Sequence, residues 1–267
     1  MQVVASIEYQ KIRQIGIGQG MNSEVFLASD PQLNGTIAVK EIPKANFGNS
    51  ISSYFSEAQT MFAAAHPNIV PIQYACETTD RVCLAMPYFS QGSLSDRINV
   101  DPLSLLEIQR VAQGVLSGLA RIHAAGFLHL DIKPSNVLLS ETDVPLVADF
   151  GQSRSVGTTG IVQMPPMYPL CIPPETLVHW TATYQSDIYQ VSLLLYRVAN
   201  GDPLFGAQIP ASSNDLELRI LAGKFPNRDL FLPHVPKRMR TLIRKGLKID
   251  PKERYRSAIE MARCLRY

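Results

Sequence analysis

The chain has 267 residues, 46% of them hydrophobic, and a formal net charge of +2. That length and apolar content supply enough core for one large domain or a two-lobed one and exclude a disordered chain. The small charge, with no run of Lys or Arg longer than a pair, gives no case for nucleic acid or an anionic membrane as partner.

The first third reads as strands. From Tyr9 through Ala28, and again from Thr36 to Ile42, apolar residues alternate or cluster in short runs, with Asn34-Gly35 as the hairpin turn between them. Ile51 to Ala65 then carries Phe55, Ala58, Met61, Phe62 and Ala65 at helical spacing, and His66-Pro67-Asn68 ends that helix. Strands around Ile69 to Ala75 and Val82 to Met86 lead to Pro87-Tyr88-Phe89-Ser90-Gln91-Gly92, a proline- and glycine-bearing connector. The lobe boundary is placed there, which divides the chain into 1–86, a connector at 87–92, and 93–267.

The second part is mostly helical. Helices are expected at Leu103 to Ala125, Ser186 to Ala199, Asp215 to Ala222, Lys237 to Leu247 and Ser257 to Leu265. Between the first two, Val137-Leu138-Leu139 and Pro145-Leu146-Val147-Ala148 form a hairpin that returns Asp149 beside Asn136. Pro165-Pro166-Met167-Tyr168-Pro169 belongs to a shaped surface loop after it. Cys76, Cys83, Cys171 and Cys264 show no CxxC or Cys/His spacing, which fits reduced thiols in a cytosolic protein rather than a disulfide framework or zinc site. The start lacks a basic, apolar leader, and no segment approaches the ~18 apolar residues of a membrane helix.

The chemistry is concentrated in His129-Leu130-Asp131-Ile132-Lys133-Pro134-Ser135-Asn136 and Asp149-Phe150-Gly151. Transfer of a γ-phosphoryl group has a loose transition state, so a protein mainly positions the reactants and neutralises charge. Asp131 is the candidate acceptor of the attacking hydroxyl's proton, and Lys133 reaches the phosphoryl from the same loop. Asn136 and Asp149 supply oxygen ligands of the kind Mg²⁺ prefers. Upstream, Gly18-Gln19-Gly20-Met21-Asn22-Ser23-Glu24-Val25 lets backbone approach a phosphate chain, although Gly16 and Gly18 offer a second register and a plain hairpin turn is the simpler reading of the glycines alone. Ile37-Ala38-Val39-Lys40 follows on the next strand, with Glu57 available as the partner of Lys40.

Together these motifs resemble the eukaryotic-like, or Hanks-type, protein kinases, from about Tyr9 to Arg263. The resemblance implies an α+β bilobal fold, with an antiparallel sheet and one helix in the N-lobe and a mainly helical C-lobe. It implies ATP and Mg²⁺ as cofactors and a protein as substrate. In that family the Lys40–Glu57 pair holds the α- and β-phosphates, and Val25, Ala38 and Leu138 sandwich the adenine. Met86 is then the gatekeeper, the Pro87 carbonyl and the Phe89 N–H bind the adenine edge, and Gly18, Gly20 and Ser23 cover the phosphates. Proline at the first of these edge positions costs nothing, since only its carbonyl is used.

Pro173-Pro174-Glu175 resembles the family's APE motif, Asp187 its helix-start aspartate, and Arg254 the arginine that pairs with the glutamate. These argue for a peptide platform and against a small-molecule phosphotransferase, and the full catalytic set argues against a pseudokinase. Lys133 points to Ser/Thr acceptors, whereas Tyr168 stands where Ser/Thr kinases usually have threonine and leaves acceptor preference open. His129 is expected to support the loop against Phe150, in a column with Met61 and Ile72, rather than act as a base. Leu130 replaces the arginine that clamps a phosphorylated activation loop, so activity is expected not to require phosphorylation at Ser153, Ser155, Thr158 or Thr159. The compact helical lobe resembles bacterial members, and whether the chain is a catalytic domain cut from a longer protein with an anchor or sensor is left open. Oligomeric state is left open.

Overall fold

The computed structural model describes residues 7–16, 23–47, 55–99, 103–164 and 169–265. The chain divides into two compact units, Met1–Ala65 with Val70–Ser90 and His66–Ile69 with Gln91–Tyr267.

The first unit is built on a five-stranded antiparallel sheet: β1 (Gln10–Ile15), β2 (Glu24–Asp30), β3 (Gly35–Pro43), β4 (Tyr74–Glu77) and β5 (Arg81–Pro87), in the order β1-β2-β3-β5-β4. The stretch read as strands from Tyr9 to Ala28 holds β1 and β2, and Gly18 and Gly20 lie outside the described residues. The turn before Gly35 is closed by Asp30, whose Oδ1 accepts from the Gln32 and Leu33 amides at 2.8 and 2.9 Å, while Asn34 takes a φ of 49°. Period-two alternation sorts β3 into two faces. Ile37 and Val39 pack with Ala28, Cys83 and Ala85 on one side, and Ile42 packs with Val82, Leu84 and Ala58 on the other.

Ala58 belongs to α1 (Ser56–Ala63), which starts after Phe55; of the helix expected from Ile51, residues 51–54 lie outside the described residues. Its buried positions are Glu57, Ala58, Thr60 and Met61, whereas Phe62 is 77% exposed. At 100° per residue Phe62 lies about 40° past Ala58, beyond the edge of the buried face that runs through Ala58, Met61 and Glu57, so the expected apolar stripe is corrected at that position.

The second correction concerns Ile69. Instead of opening a strand of the sheet, it makes an isolated parallel bridge to Val147 in the second unit. Asn68 ties this short piece down, its carbonyl accepting from the Val147 amide at 2.9 Å and its Nδ2 donating to the Pro145 carbonyl at 3.0 Å.

The second unit opens with α2 (Leu94–Ile98), which the sequence reading did not separate, and continues with α3 (Leu105–Ala124). Both start at a reciprocal Ser–acid capping box, Ser93 with Asp96 and Ser104 with Glu107. Short strands follow: β6 (Phe127–Leu128), β7 (Val137–Leu139), β8 (Pro145–Val147), β9 (Arg154–Ser155) and β10 (Val162–Gln163). Next come α4 (Pro174–His179), β11 (Thr181–Ala182), α5 (Tyr184–Asn200), α6 (Asp202–Gly206), α7 (Ser213–Leu221), α8 (Lys237–Gly246) and α9 (Ala258–Arg263). The pairs are β6 with β9, β7 with β8 and β10 with β11, all antiparallel.

The core of this unit is α5, buried at nearly every position. Gly246 lets α8 approach it, because a Cβ there would overlap the Ser192 hydroxyl. Gly118 of α3 plays the same part against the Asn68 carbonyl, which a Cβ would meet at 2.7 Å.

Candidate active site

In the first unit Lys40 sits in the middle of β3, opposite Val25 on β2 and Leu84 on β5. Its Nζ lies 2.8 Å from Glu57 Oε1, and both side chains are buried. Taking two charges out of water is costly, so such a pair persists only where each partner neutralises the other. Ala38, two residues before Lys40, faces the same way and pairs with Met86, with Ile37 opposite Pro87. Val25, Ala38, Lys40, Leu84 and Met86 therefore share one face of the sheet. Ser23 and Phe89 are both half-buried. Glu41, which the sequence reading passed over, is buried on the other face; it pairs with Lys11 at 2.7 Å and Arg81 at 3.4 Å and accepts from the Tyr9 hydroxyl at 2.9 Å.

In the second unit the loop from His129 to Asn136 is held from below by α5. The carboxylate of Asp187 is fully buried and accepts from the His129 amide at 2.9 Å, the Leu130 amide at 2.8 Å and His123 Nε2 at 2.8 Å. Asp187 lies in the first turn of α5, as a helix-start aspartate should, while Thr183 is the N-cap and its amide donates to Ser186 Oγ at 3.0 Å. Gln190, one turn on, accepts from the Ile132 amide at 3.1 Å and donates to the carbonyls of Leu130 and Cys171 at 2.8 and 3.2 Å. Nothing in the local sequence marks Gln190 or His123, because the partners that give them their roles, the 129–136 loop for Gln190 and Asp187 for His123, lie about sixty residues away.

These bonds hold Leu130 at a φ of 69°, and Asp149 sits at 61°. Non-glycine residues pay of order 1 kcal/mol or more to sit in the left-handed region and stay there only where their surroundings enforce it. The consequence for Asp131 is a fixed carboxylate. Its Oδ2 accepts from Lys133 Nζ at 2.8 Å and from Asn136 Nδ2 at 2.8 Å, and the same Nδ2 donates to the Asp131 carbonyl at 2.9 Å. Both amide protons of Asn136 are thus engaged within the loop, which leaves its Oδ1 as the outward oxygen, touched at 3.4 Å by Ser135 Oγ.

His129 is fully buried. Its Nε2 donates to the Ala148 carbonyl at 3.1 Å, its Nδ1 accepts from the Asp131 amide at 3.3 Å, and its ring meets Phe150 edge-on at 5.0 Å. Burial pushes its pKa down, so the ring is neutral and serves as a strut. The β7–β8 hairpin brings Asp149 round as expected, the Ala148 amide donating to the Asn136 carbonyl at 2.9 Å. Leu138, on β7, is half-buried opposite Leu146.

Asn136 and Asp149 offer an amide oxygen and a carboxylate, hard donors that suit Mg²⁺. Among the described residues no group of three or more His, Cys, Asp or Glu is placed to hold a metal ion. A Mg²⁺ ion on these two side chains would complete its shell with water and phosphate oxygens, its usual habit.

Farther along, Glu175 of α4 and Arg254 form a fork, Oε2 to Nη2 at 2.6 Å and Oε1 to Nη1 at 2.8 Å. Arg254 also donates to the carbonyls of Gln185, Lys248 and Ile249, and Ser186 Oγ donates to Glu175 Oε1 at 2.8 Å. Leu130 does not face solvent. It packs with Leu128, Val162, Met164 and Ala182, so the strand pair β10–β11 is joined to the loop by apolar contact. Ser155, Thr158 and Thr159 are exposed, and Tyr168 lies outside the described residues.

Residues 9–264 match the protein kinase domain family. Serine/threonine-protein kinase PrkC of Bacillus subtilis is 30% identical over 258 residues, which cover 95% of this chain and 39% of that protein. Serine/threonine-protein kinase pkn2 of Myxococcus xanthus is 29% identical over 265 residues, covering 93% and 31%. PknB of Mycobacterium leprae, also named a serine/threonine-protein kinase, is 27% identical over 261 residues, covering 92% and 40%. The chain spans about two fifths or less of these relatives' length. With an antiparallel sheet in one unit, helices in the other and the motifs in family order, this chain belongs to the protein kinase domain family.

Proposed function

We propose that this chain transfers the γ-phosphoryl group of ATP to serine and threonine hydroxyls of proteins in a Mg²⁺-dependent reaction. The observation that carries the reading is the bonding around Asp131. Lys133 and Asn136 both donate to Oδ2, which orients the carboxylate and leaves Oδ1 to accept the proton of an incoming hydroxyl. Lys133 balances the charge of the transferred phosphoryl; Asn136 and Asp149 would hold Mg²⁺, which when bound would supply further neutralisation.

In the other unit, the Lys40–Glu57 pair presents a fixed ammonium to the α- and β-phosphates. Val25, Ala38 and Met86 offer an apolar face to the adenine, with Leu138 as its counterpart and the Pro87 carbonyl and Phe89 N–H at its edge. Gly18, Gly20 and Ser23 are assigned to cover the phosphates on the resemblance alone. The Glu175–Arg254 fork supports a platform for peptide substrates, and relatives named as serine/threonine kinases favour those acceptors over tyrosine. The four cysteines form no disulfide, in keeping with a cytoplasmic setting. Among the described residues no helix is long and apolar enough to cross a membrane.

The test is incubation with labelled ATP and Mg²⁺ alongside Asp131→Ala, with labelled residues mapped by mass spectrometry. Transfer to serine and threonine that is lost in the variant is expected. Intact nucleotide binding without transfer would make the chain a pseudokinase scaffold, and label on tyrosine alone would overturn the acceptor assignment.

A further inference from the structure

The overall charge of +2 hides a steep asymmetry. Residues 237–267 hold 11 Lys and Arg against three Asp and Glu, a net +8, whereas residues 1–236 hold 14 against 20, a net −6. Some of these cations are neutralised in place: Arg244 pairs with Asp229 at 3.1 Å, Lys245 with Glu260 at 3.2 Å, Lys248 with Glu253 at 3.8 Å, and buried Arg254 with Glu175. The charged ends of Lys237, Arg238, Arg240, Lys252, Arg256 and Arg263 form no ion pair within 4.0 Å among the described residues, although the backbone amides of Lys252 and Arg256 donate to Asp250 and Glu260. Arg238 and Arg240 donate only to backbone carbonyls, which satisfies hydrogen bonds without cancelling charge.

This basic segment borders a cavity of about 630 Å³ wholly within the second unit, between α3, the turn before β8, and α9. Its lining includes Arg110, Gln113 and Ser117 of α3, Pro145, and Ile259 and Arg263 of α9. The two arginines and the exposed carboxamide of Gln113 stand beside an apolar wall, and Ile259 is 52% exposed. Asp143 lies 3.8 Å from Arg110, but both are well exposed, so that pair is screened and weak.

We propose that this cavity and the basic surface around α9 form a docking site for an acidic polypeptide segment that inserts an apolar side chain between Arg110 and Arg263. The charge selects an anionic partner. The recess selects a polypeptide: a protruding side chain fills a concave pocket, which a planar bilayer does not. Single-stranded nucleic acid needs exposed aromatic rings to stack on, and Tyr255, the aromatic residue described in this segment, is buried. None of these residues belongs to the catalytic set, so binding is read independently of phosphoryl transfer.

The experiment uses the whole chain and a fluorescein-labelled peptide of alternating Glu and Leu, followed by anisotropy at low salt, with a Lys-and-Leu peptide as control. Saturable binding of the acidic peptide is expected, weakening as salt is raised. The exposed double variant Arg110→Glu/Arg263→Glu should bind it at least about tenfold more weakly and gain affinity for the basic peptide, while circular dichroism and basal activity stay unchanged. Ala120→Phe, which fills the cavity at constant charge, should also weaken it. Equal binding by wild type and the double variant, no preference for the acidic peptide, or preferential binding of phosphatidylglycerol vesicles or duplex DNA would overturn the proposal.

Discussion

Removal of the Glu175 carboxylate tests how the second unit is held together. Arg254 has five N–H donors and five acceptors: Nε to Lys248 O at 2.8 Å, Nη1 to Gln185 O and Glu175 Oε1 at 2.8 Å each, and Nη2 to Ile249 O at 3.1 Å and Glu175 Oε2 at 2.6 Å. Its side chain has no exposed surface and lies over the Tyr189 ring at 4.8 Å. Glu175→Ala leaves two N–H groups and a full positive charge without compensation, and it strips Ser186 Oγ of its acceptor. Breaking a buried pair by deleting one partner costs about 3–5 kcal/mol, a large part of the roughly 5–15 kcal/mol that stabilises a typical domain. Urea unfolding followed by circular dichroism is expected to show a loss of that size, with Glu175→Gln, which keeps one oxygen, falling between it and the wild type. A loss below about 1 kcal/mol for Glu175→Ala would mean that water enters and solvates Arg254, and the account of a dry fork would be wrong.

Three further outcomes follow from the same geometry. Leu130→Ala opens a void in the cluster with Leu128, Val162, Met164 and Ala182 and should cost about 2–5 kcal/mol by urea midpoint; a change under about 1 kcal/mol would show that the cluster collapses around it. Replacing Ser153, Ser155, Thr158 and Thr159 together by Ala should leave peptide phosphorylation within about tenfold, or 1.4 kcal/mol of barrier, and a larger drop would show that activation does need a phosphate there. Burial holds His129 below its ordinary pKa of 6.5, so below pH 6.5 the unfolded chain takes up a proton that the folded chain refuses. Its contribution to stability is whole above pH 6.5 and declines as the pH falls towards its lowered value. His66, lowered by burial and then by Arg121, acts in the same direction. Unfolding free energies between pH 7 and pH 5 should fall more steeply for the wild type than for His129→Asn, and parallel curves would refute the assignment.

Short-range chemistry was legible in the sequence. Asp131, Lys133 and Asn136 stand within six residues, and the structure joins them by bonds that such spacing permits. Lys40 and Glu57 were legible as strand and helix positions seventeen residues apart, and they meet at 2.8 Å. The starts of the longer C-terminal helices were read to within a few residues from apolar periodicity, as at Leu103 against the observed Leu105. What escaped the reading depends on distant partners. Phe62 belongs to the stripe by composition and to the exterior by angle. Ile69 looks like a strand residue, but Asn68 is bonded to Pro145 and Val147 in the second unit, which draws Ile69 away from the sheet. The charge of the last residues looked ordinary while averaged over the whole chain.

The sequence alone therefore marked out the candidate groups for chemistry, because phosphoryl transfer demands particular residue types at short spacing on one loop. Tertiary structure decided how those groups are held. Asp187 and Gln190 reach across some sixty residues to fix the loop from His129 to Asn136, and Leu130 is turned inward into an apolar cluster. Hydrogen bonds and burial between distant segments leave no local periodicity in the chain, so their pattern exists only once the segments have packed.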